Sequence, residues 1–205
     1  MRSRVHTDPA VTFTERALGL QSFKAVLNRG LGSQAMNLIL TSAKGLEARA
    51  SAEFKEIALL SGVRKVTLER SAYDGVVEVE AENPKGLLTF LTEFVKSEPF
   101  KVRFIMRVIP VDRVVDTKME EISKAVKELS ASIGPGETFR VTIEARDSPY
   151  GDKQLIDAVA DVVDRRVSLS SPDKIVFIQV FGEYTGISIL APQDILSIAK
   201  LKRAA

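Results

Sequence analysis

The chain has 205 residues, 45% hydrophobic and 27% charged, a composition that supports one large folded core or two small ones and argues against disorder. It has no cysteine and one histidine, His6, which excludes disulfides, thiolate metal centres and cysteine nucleophiles and leaves little for acid–base chemistry. The net charge of +2 divides into +3 over residues 1–36, +1 over 37–115 and −2 over 116–205, so a uniformly basic surface is excluded and any phosphate-binding surface must come from local clustering.

Residues 1–36 read as an N-terminal extension with a helix around Glu15 to Leu27. They contain neither a secretory signal nor an apolar run of the ~18 residues that a membrane span requires, which predicts a cytoplasmic protein without a membrane partner. Gly30, Gly32 and Ala35 fit the dinucleotide pattern in spacing only, because a helical segment precedes them and a strand follows. Met36 stands directly before the first strand, so the extension reads as a flexible basic arm or as a consequence of start-codon choice.

From residue 37 the hydrophobic period alternates between 2 and 3.6. Asn37 to Ser42 predicts a buried strand, and Leu46, Ala50, Phe54 and Ile57 mark a helix that Gly62 ends. Val66 and Leu68, the turn Asp74-Gly75, and Val77 and Val79 predict a hairpin. Asn83-Pro84 caps a helix with the stripe Leu87, Leu88, Leu91, Phe94 and Val95, and Phe100 to Ile109 predicts a long closing strand. The resulting order over 37–109 is β-α-β-β-α-β, a ferredoxin-like N-terminal domain.

Residues 110–205 predict a second domain. Thr117 and Glu120 fit a capping box for a helix of about four turns through Met119, Ile122, Val126, Leu129 and Ile133, stopped by Gly134-Pro135-Gly136. Phe139, Val141 and Ile143 alternate as a strand, and Leu155, Ile156, Val159, Val162 and Val163 mark a helix. Ile175 to Phe181 is apolar on both faces, as in a central strand, and Gly182-Glu183 turns it into a partner at Tyr184 to Leu190. Gln193 to Lys200 predicts a short terminal helix. The fold class is mixed α/β.

Asp157, Asp161 and Asp164 share one predicted helix face, but with Arg165 four residues after Asp161 they read as a solvated face rather than a metal or catalytic site. No Ser-His-Asp set can be assembled, and no cofactor is implied. The basic residues carry more. Lys101, Arg103 and Arg107 alternate on one face of the strand predicted at Phe100 to Ile109, and Arg140 and Arg146 do the same on the later strand. Two strands would thus display guanidinium groups from an exposed sheet face about 7 Å apart per residue pair, near the phosphate repeat of RNA.

The segments Asn37–Gly45 (NLILTSAKG), Arg107–Val115 (RVIPVDRVV) and Thr138–Arg146 (TFRVTIEAR) resemble the free-standing THUMP-domain proteins that assist tRNA cytidine acetylation. Val167–Asp173, Phe177–Val180 and Thr185–Leu190 are similar to that family's closing strands. The resemblance covers about residues 37–191 and makes 110–205 the THUMP domain. It implies an adaptor that binds the acceptor stem and 3′ end of tRNA and presents them to a separate modifying enzyme, the acetyltransferase that forms 4-acetylcytidine. The chain stops about fifteen residues after its last predicted strand, which leaves the chemistry to that partner. By position, Arg107, Arg140 and Arg146 are the implied RNA contacts, with Lys44, Lys174, Arg103 and Lys101 as further candidates. A ferredoxin-like regulatory or small-ligand module without RNA affinity is the alternative, and a hydrolase using Asp or Ser is a more distant one.

Overall fold

The computed structural model describes residues 36–204. The expectations placed on the N-terminal extension, including the helix near Glu15, the glycine pattern and His6, lie outside the described residues.

The first layer runs β1 (Leu38–Thr41), α1 (Glu47–Leu60), β2 (Val66–Arg70), β3 (Val76–Ala81), α2 (Pro84–Ser97) and β4 (Arg107–Pro110), the order that the hydrophobic periods predict. All its pairings are antiparallel, with β1 between β3 and β4, and β2 beside β3. Leu38, Leu40, Val77, Val79 and Val108 point to one face, where Ala50, Phe54 and Ile57 of α1 and Leu87, Leu91 and Val95 of α2 close over them. The caps follow from local chemistry. Asn83 accepts the Gly86 N–H at 3.0 Å with Pro84 at the first helical position.

At the start of α1 a buried carboxylate joins the helix to the segments around it. Glu47 accepts the N–H of Gly45 at 3.0 Å and of Gly75 at 2.6 Å, tying the β2–β3 turn to the helix. Only glycine fits at Gly75, where φ is +74° and a Cβ would lie 2.7 Å from the Ser42 carbonyl oxygen.

The second layer contains β5 (Arg113–Asp116), α3 (Met119–Leu129), β6 (Thr138–Arg146), α4 (Asp152–Val162), β7 (Arg166–Val167), β8 (Lys174–Phe181) and β9 (Tyr184–Leu190), with sheet order β5-β9-β8-β6-β7. β8 is the central strand its sequence predicts. Val176, Ile178 and Val180 pack with α3 and α4 through Ile122, Val126, Leu155 and Val159. Its other face, Ile175, Phe177 and Phe181, meets Ile39, Val76 and Ile109 of the first sheet. The two sheets therefore bury these faces against each other, with helices outside both.

Four local expectations are corrected. Residues 100–106 are not strand: Glu53 of α1 accepts the backbone N–H of Arg103, Phe104 and Ile105, with N···O distances from 2.8 to 3.2 Å, so those donors are withdrawn from any sheet ladder. Thr117 forms no capping box, because its hydroxyl is buried against Thr185 Oγ1 at 2.9 Å, and α3 ends at Leu129 with a 3-10 turn beyond it. Asp164 lies past the end of α4, and Arg165 turns from Asp161 to the carbonyls of Ile133 and Gly134 at 2.9 and 3.1 Å. The segment after Leu190 forms a 3-10 turn, β10 (Leu196–Ser197) and α5 (Ile198–Ala204). β10 pairs with β4, so the end of the chain returns to the first sheet.

Candidate nucleic-acid interface

The face that carries arginines is set by alternation. On β6, Phe139, Val141 and Ile143 enter the core under α3 and α4, which sends Arg140, Thr142, Glu144 and Arg146 to the side that faces the first sheet. On β4, Val108 joins the first core while Ile109 packs toward the second sheet, and Arg107 shares the orientation of Ile109. These arginines are consequently not on an open sheet face, as sequence alone suggested. The apolar contact between β8 and the first sheet covers its middle and leaves them at its margin.

There Arg107 and Arg146 meet. Arg107 NH1 lies 2.6 Å from Glu144 Oε1, and Arg146 NH2 lies 3.9 Å from Glu144 Oε2, so one carboxylate bridges a guanidinium from each sheet. Arg107 also stands over the Phe177 ring at 5.9 Å and Arg146 over Phe181 at 5.3 Å. Stacking on rings held in the sheet–sheet contact restricts both guanidinium groups. All three charged side chains keep a quarter to a third of their surface in solvent. NH1 of Arg146 is buried without a partner.

Arg140 is six residues from Arg146, about 20 Å along the strand. Its NH1 reaches the Leu169 carbonyl at 3.4 Å, and its Nε is buried without a partner. Lys174 lies beside this end, since Phe139 pairs with Lys174 and Arg140 with Ile175. It faces Glu137 at 3.8 Å. The neighbouring Asp173 accepts the N–H and hydroxyl of Thr138 at 2.8 and 2.7 Å, and these bonds hold its carboxyl below the usual range.

The remaining candidates are dispersed. Lys44 follows β1, whose Thr41 is the register partner of Arg107, and it is paired with Asp74 at 2.8 Å. Lys101 pairs with Glu98 at 3.1 Å. Arg103 lies 5.3 Å from the Phe104 ring, which Arg49 also approaches at 5.4 Å. Neither Lys101 nor Arg103 shares a strand with Arg107, because the strand that would align them does not form.

Sequence reasoning missed Gln179. This residue of β8 is 1% exposed, and among the described residues neither end of its amide has a hydrogen-bond partner. An alternating polar residue in the apolar run Ile175 to Phe181 was the available signal. Among the described residues no His, Cys, Asp and Glu side chains gather in threes to hold a metal, and no helix is long and apolar enough to cross a membrane.

Residues 116–190 match the THUMP domain family, so a THUMP domain is present and includes Arg140, Glu144, Arg146 and Gln179. The chain is 25% identical over 175 residues to the uncharacterized protein MJ0421 of Methanocaldococcus jannaschii, a match covering 83% of this chain and 45% of that one. The solved structure of PH1313 from Pyrococcus horikoshii superimposes with a TM-score of 0.61 at 17% identity, over 76% of this chain and 54% of the other. TrmN from Thermus thermophilus gives 0.51 at 17% identity, over 75% of this chain and 45% of the other. At these identities the two structures share the fold. The chain spans about half the length of these relatives or less.

Proposed function

We propose that this chain is a tRNA-binding adaptor that grips phosphates along the margin between its two sheets and presents the tRNA to a separate modifying enzyme. The observation that carries this reading is the meeting of Arg107 with Arg146 of the THUMP domain across Glu144. Two forked, ring-stacked cations at one point suit a phosphodiester. A third, Arg140, stands about 20 Å further along β6, a span of several nucleotides. A-form RNA offers its backbone and 2′-hydroxyls rather than base edges, so such spaced cations read shape.

The finer part of the reading is that the ligand is the acceptor stem with its 3′ end, and that the partner is the acetyltransferase forming 4-acetylcytidine. Lys44, which follows the strand paired with Arg107, would extend the path. Lys174, register partner of the core residue Phe139, lies on the other face of the sheet from Arg140 and would contribute from the strand end. Arg103 and Lys101 fall outside the margin and would contribute through general attraction. In this reading the chain positions RNA and performs no chemistry, working in the cytoplasm.

The test is tRNA affinity as a function of salt. Three phosphate contacts give a log–log slope of about −2 to −3. A tRNA lacking its 3′-terminal nucleotides should bind more weakly, and co-purification from native cells should recover the acetyltransferase. Binding that is weak and independent of salt would overturn the reading.

A further inference from the structure

Glu144 stands between two guanidinium groups. Each of its oxygens faces a different guanidinium, Arg107 at 2.6 Å and Arg146 at 3.9 Å, and these arginines come from different sheets. A phosphodiester entering between them must displace this carboxylate, and a displaced carboxylate that found no new donor would cancel much of the gain.

A donor is present. In the parallel pairing of β6 with β8, Glu144 is the register partner of Gln179. Strands so paired lie about 4.8 Å apart, within reach of two long side chains on one face. Gln179 is buried, its Nε2 has no acceptor, and on its other side β9 presents Gly186, which has no side chain. A buried amide without a partner among the described residues is costly, and here it stands beside a carboxylate that RNA binding would release.

The geometry points to a two-position switch, in which Glu144 holds Arg107 and Arg146 in the free protein and swings to the Gln179 amide when a phosphodiester of RNA takes its place. The inference rests on the RNA-binding reading above and deepens it. Glu144 and Gln179 are positioning residues: the phosphate touches the arginines. The carboxylate keeps the arginines arranged before RNA arrives and screens them from weaker anions. The amide lowers the cost of its departure.

The test compares tRNA affinity and melting temperature for the native chain, Glu144→Ala, Gln179→Met and the double variant. Removing the competitor should tighten binding about fivefold, the worth of a partly exposed ion pair. Gln179→Met should weaken binding about tenfold, the worth of a hydrogen bond to a charged group, without lowering the melting temperature. In the Glu144→Ala background it should change affinity less than about twofold, because no carboxylate then needs the amide. Should Glu144→Ala melt early, Glu144→Gln removes the charge while keeping the shape and serves the same comparison. Native binding with the expected salt slope but no tightening in either Glu144 variant overturns the switch alone, as does an equal loss from Gln179→Met in both backgrounds. Absence of salt-dependent tRNA binding in every variant overturns the RNA reading and the switch together.

Discussion

Glu53 and Phe104 are linked by a bifurcated hydrogen bond, the Phe104 N–H meeting both carboxylate oxygens at 3.1 and 3.2 Å, while the flanking N–H groups of Arg103 and Ile105 meet the same carboxylate at 2.8 and 3.0 Å. One side chain on α1 thereby fixes the approach to β4. Glu53→Ala leaves three backbone donors to find water, two of them partly buried, and should lower stability by about 2 kcal/mol. Glu53→Gln keeps an acceptor and should lose less. Urea unfolding of the two variants checks the order, and equal stability of Glu53→Ala and the native chain would remove Glu53 from this role.

That contact also marks where the sequence stops being legible. The period of Leu87, Leu91 and Val95 and the Asn83-Pro84 cap are local, and they sufficed to place α2 within a residue or two. The residues Phe100 to Ile109 alternate as a strand should, yet only Arg107 to Ile109 enter one, because the N–H groups of Arg103, Phe104 and Ile105 are taken by a carboxylate fifty positions away, which no local pattern reveals. The arginines were legible as residue types and as a face of β6. That the face turns toward another sheet, and that Glu144 stands between Arg107 and Arg146, depends on packing between β8 and the first sheet. Gln179 is not legible, because one polar residue barely disturbs an apolar run.

Acid should loosen the first layer through Glu47. Its side chain is almost wholly buried, and the N–H groups of Gly75, of Glu47 itself and of Gly45 hold its carboxyl down at about 2. A folded value below the unfolded one means the unfolded chain binds more protons in that range. The contribution of Glu47 is then complete above the unfolded value of about 4.3 and is lost as pH falls toward 2. Stability measured from pH 5 to pH 2 should fall less steeply in Glu47→Gln, which starts lower. Parallel curves for the two proteins would contradict this assignment.

The return of the chain end to β4 has its own consequence. β10 pairs Leu196 with Val108, the Ile198 N–H meets the Met106 carbonyl at 3.0 Å, and Lys202 Nζ meets the Val102 carbonyl at 2.5 Å. Leu196 and Ile198 are buried in the first core. Removing residues 192–205 exposes the edge of β4 and should lower stability by about 3 kcal/mol from the lost burial of those two side chains. Hydrogen exchange should quicken at Val108, whose strand loses its β10 neighbour, more than at Val176 or Ile178, whereas the Met106 N–H keeps the Thr41 carbonyl at 2.8 Å. Uniform quickening would show that the two layers unfold as one.

Arg140 separates binding from stability. Among the described residues its side chain has one hydrogen bond, a long one to the Leu169 carbonyl, and its Nε has no partner, so Arg140→Ala removes little that holds the fold. The stability change should stay within about 0.5 kcal/mol. Loss of one phosphate contact should nevertheless weaken tRNA binding several-fold and flatten the salt slope by about 0.7 to 0.9. Arg107→Ala should differ in kind. It strips Glu144 of its 2.6 Å partner and leaves a partly buried carboxylate facing Arg146 alone, so stability should fall along with affinity. Thermal melting and tRNA titration of the two variants distinguish these outcomes: a large stability loss in Arg140→Ala would make that arginine structural, and unchanged affinity in both would place the RNA contacts elsewhere.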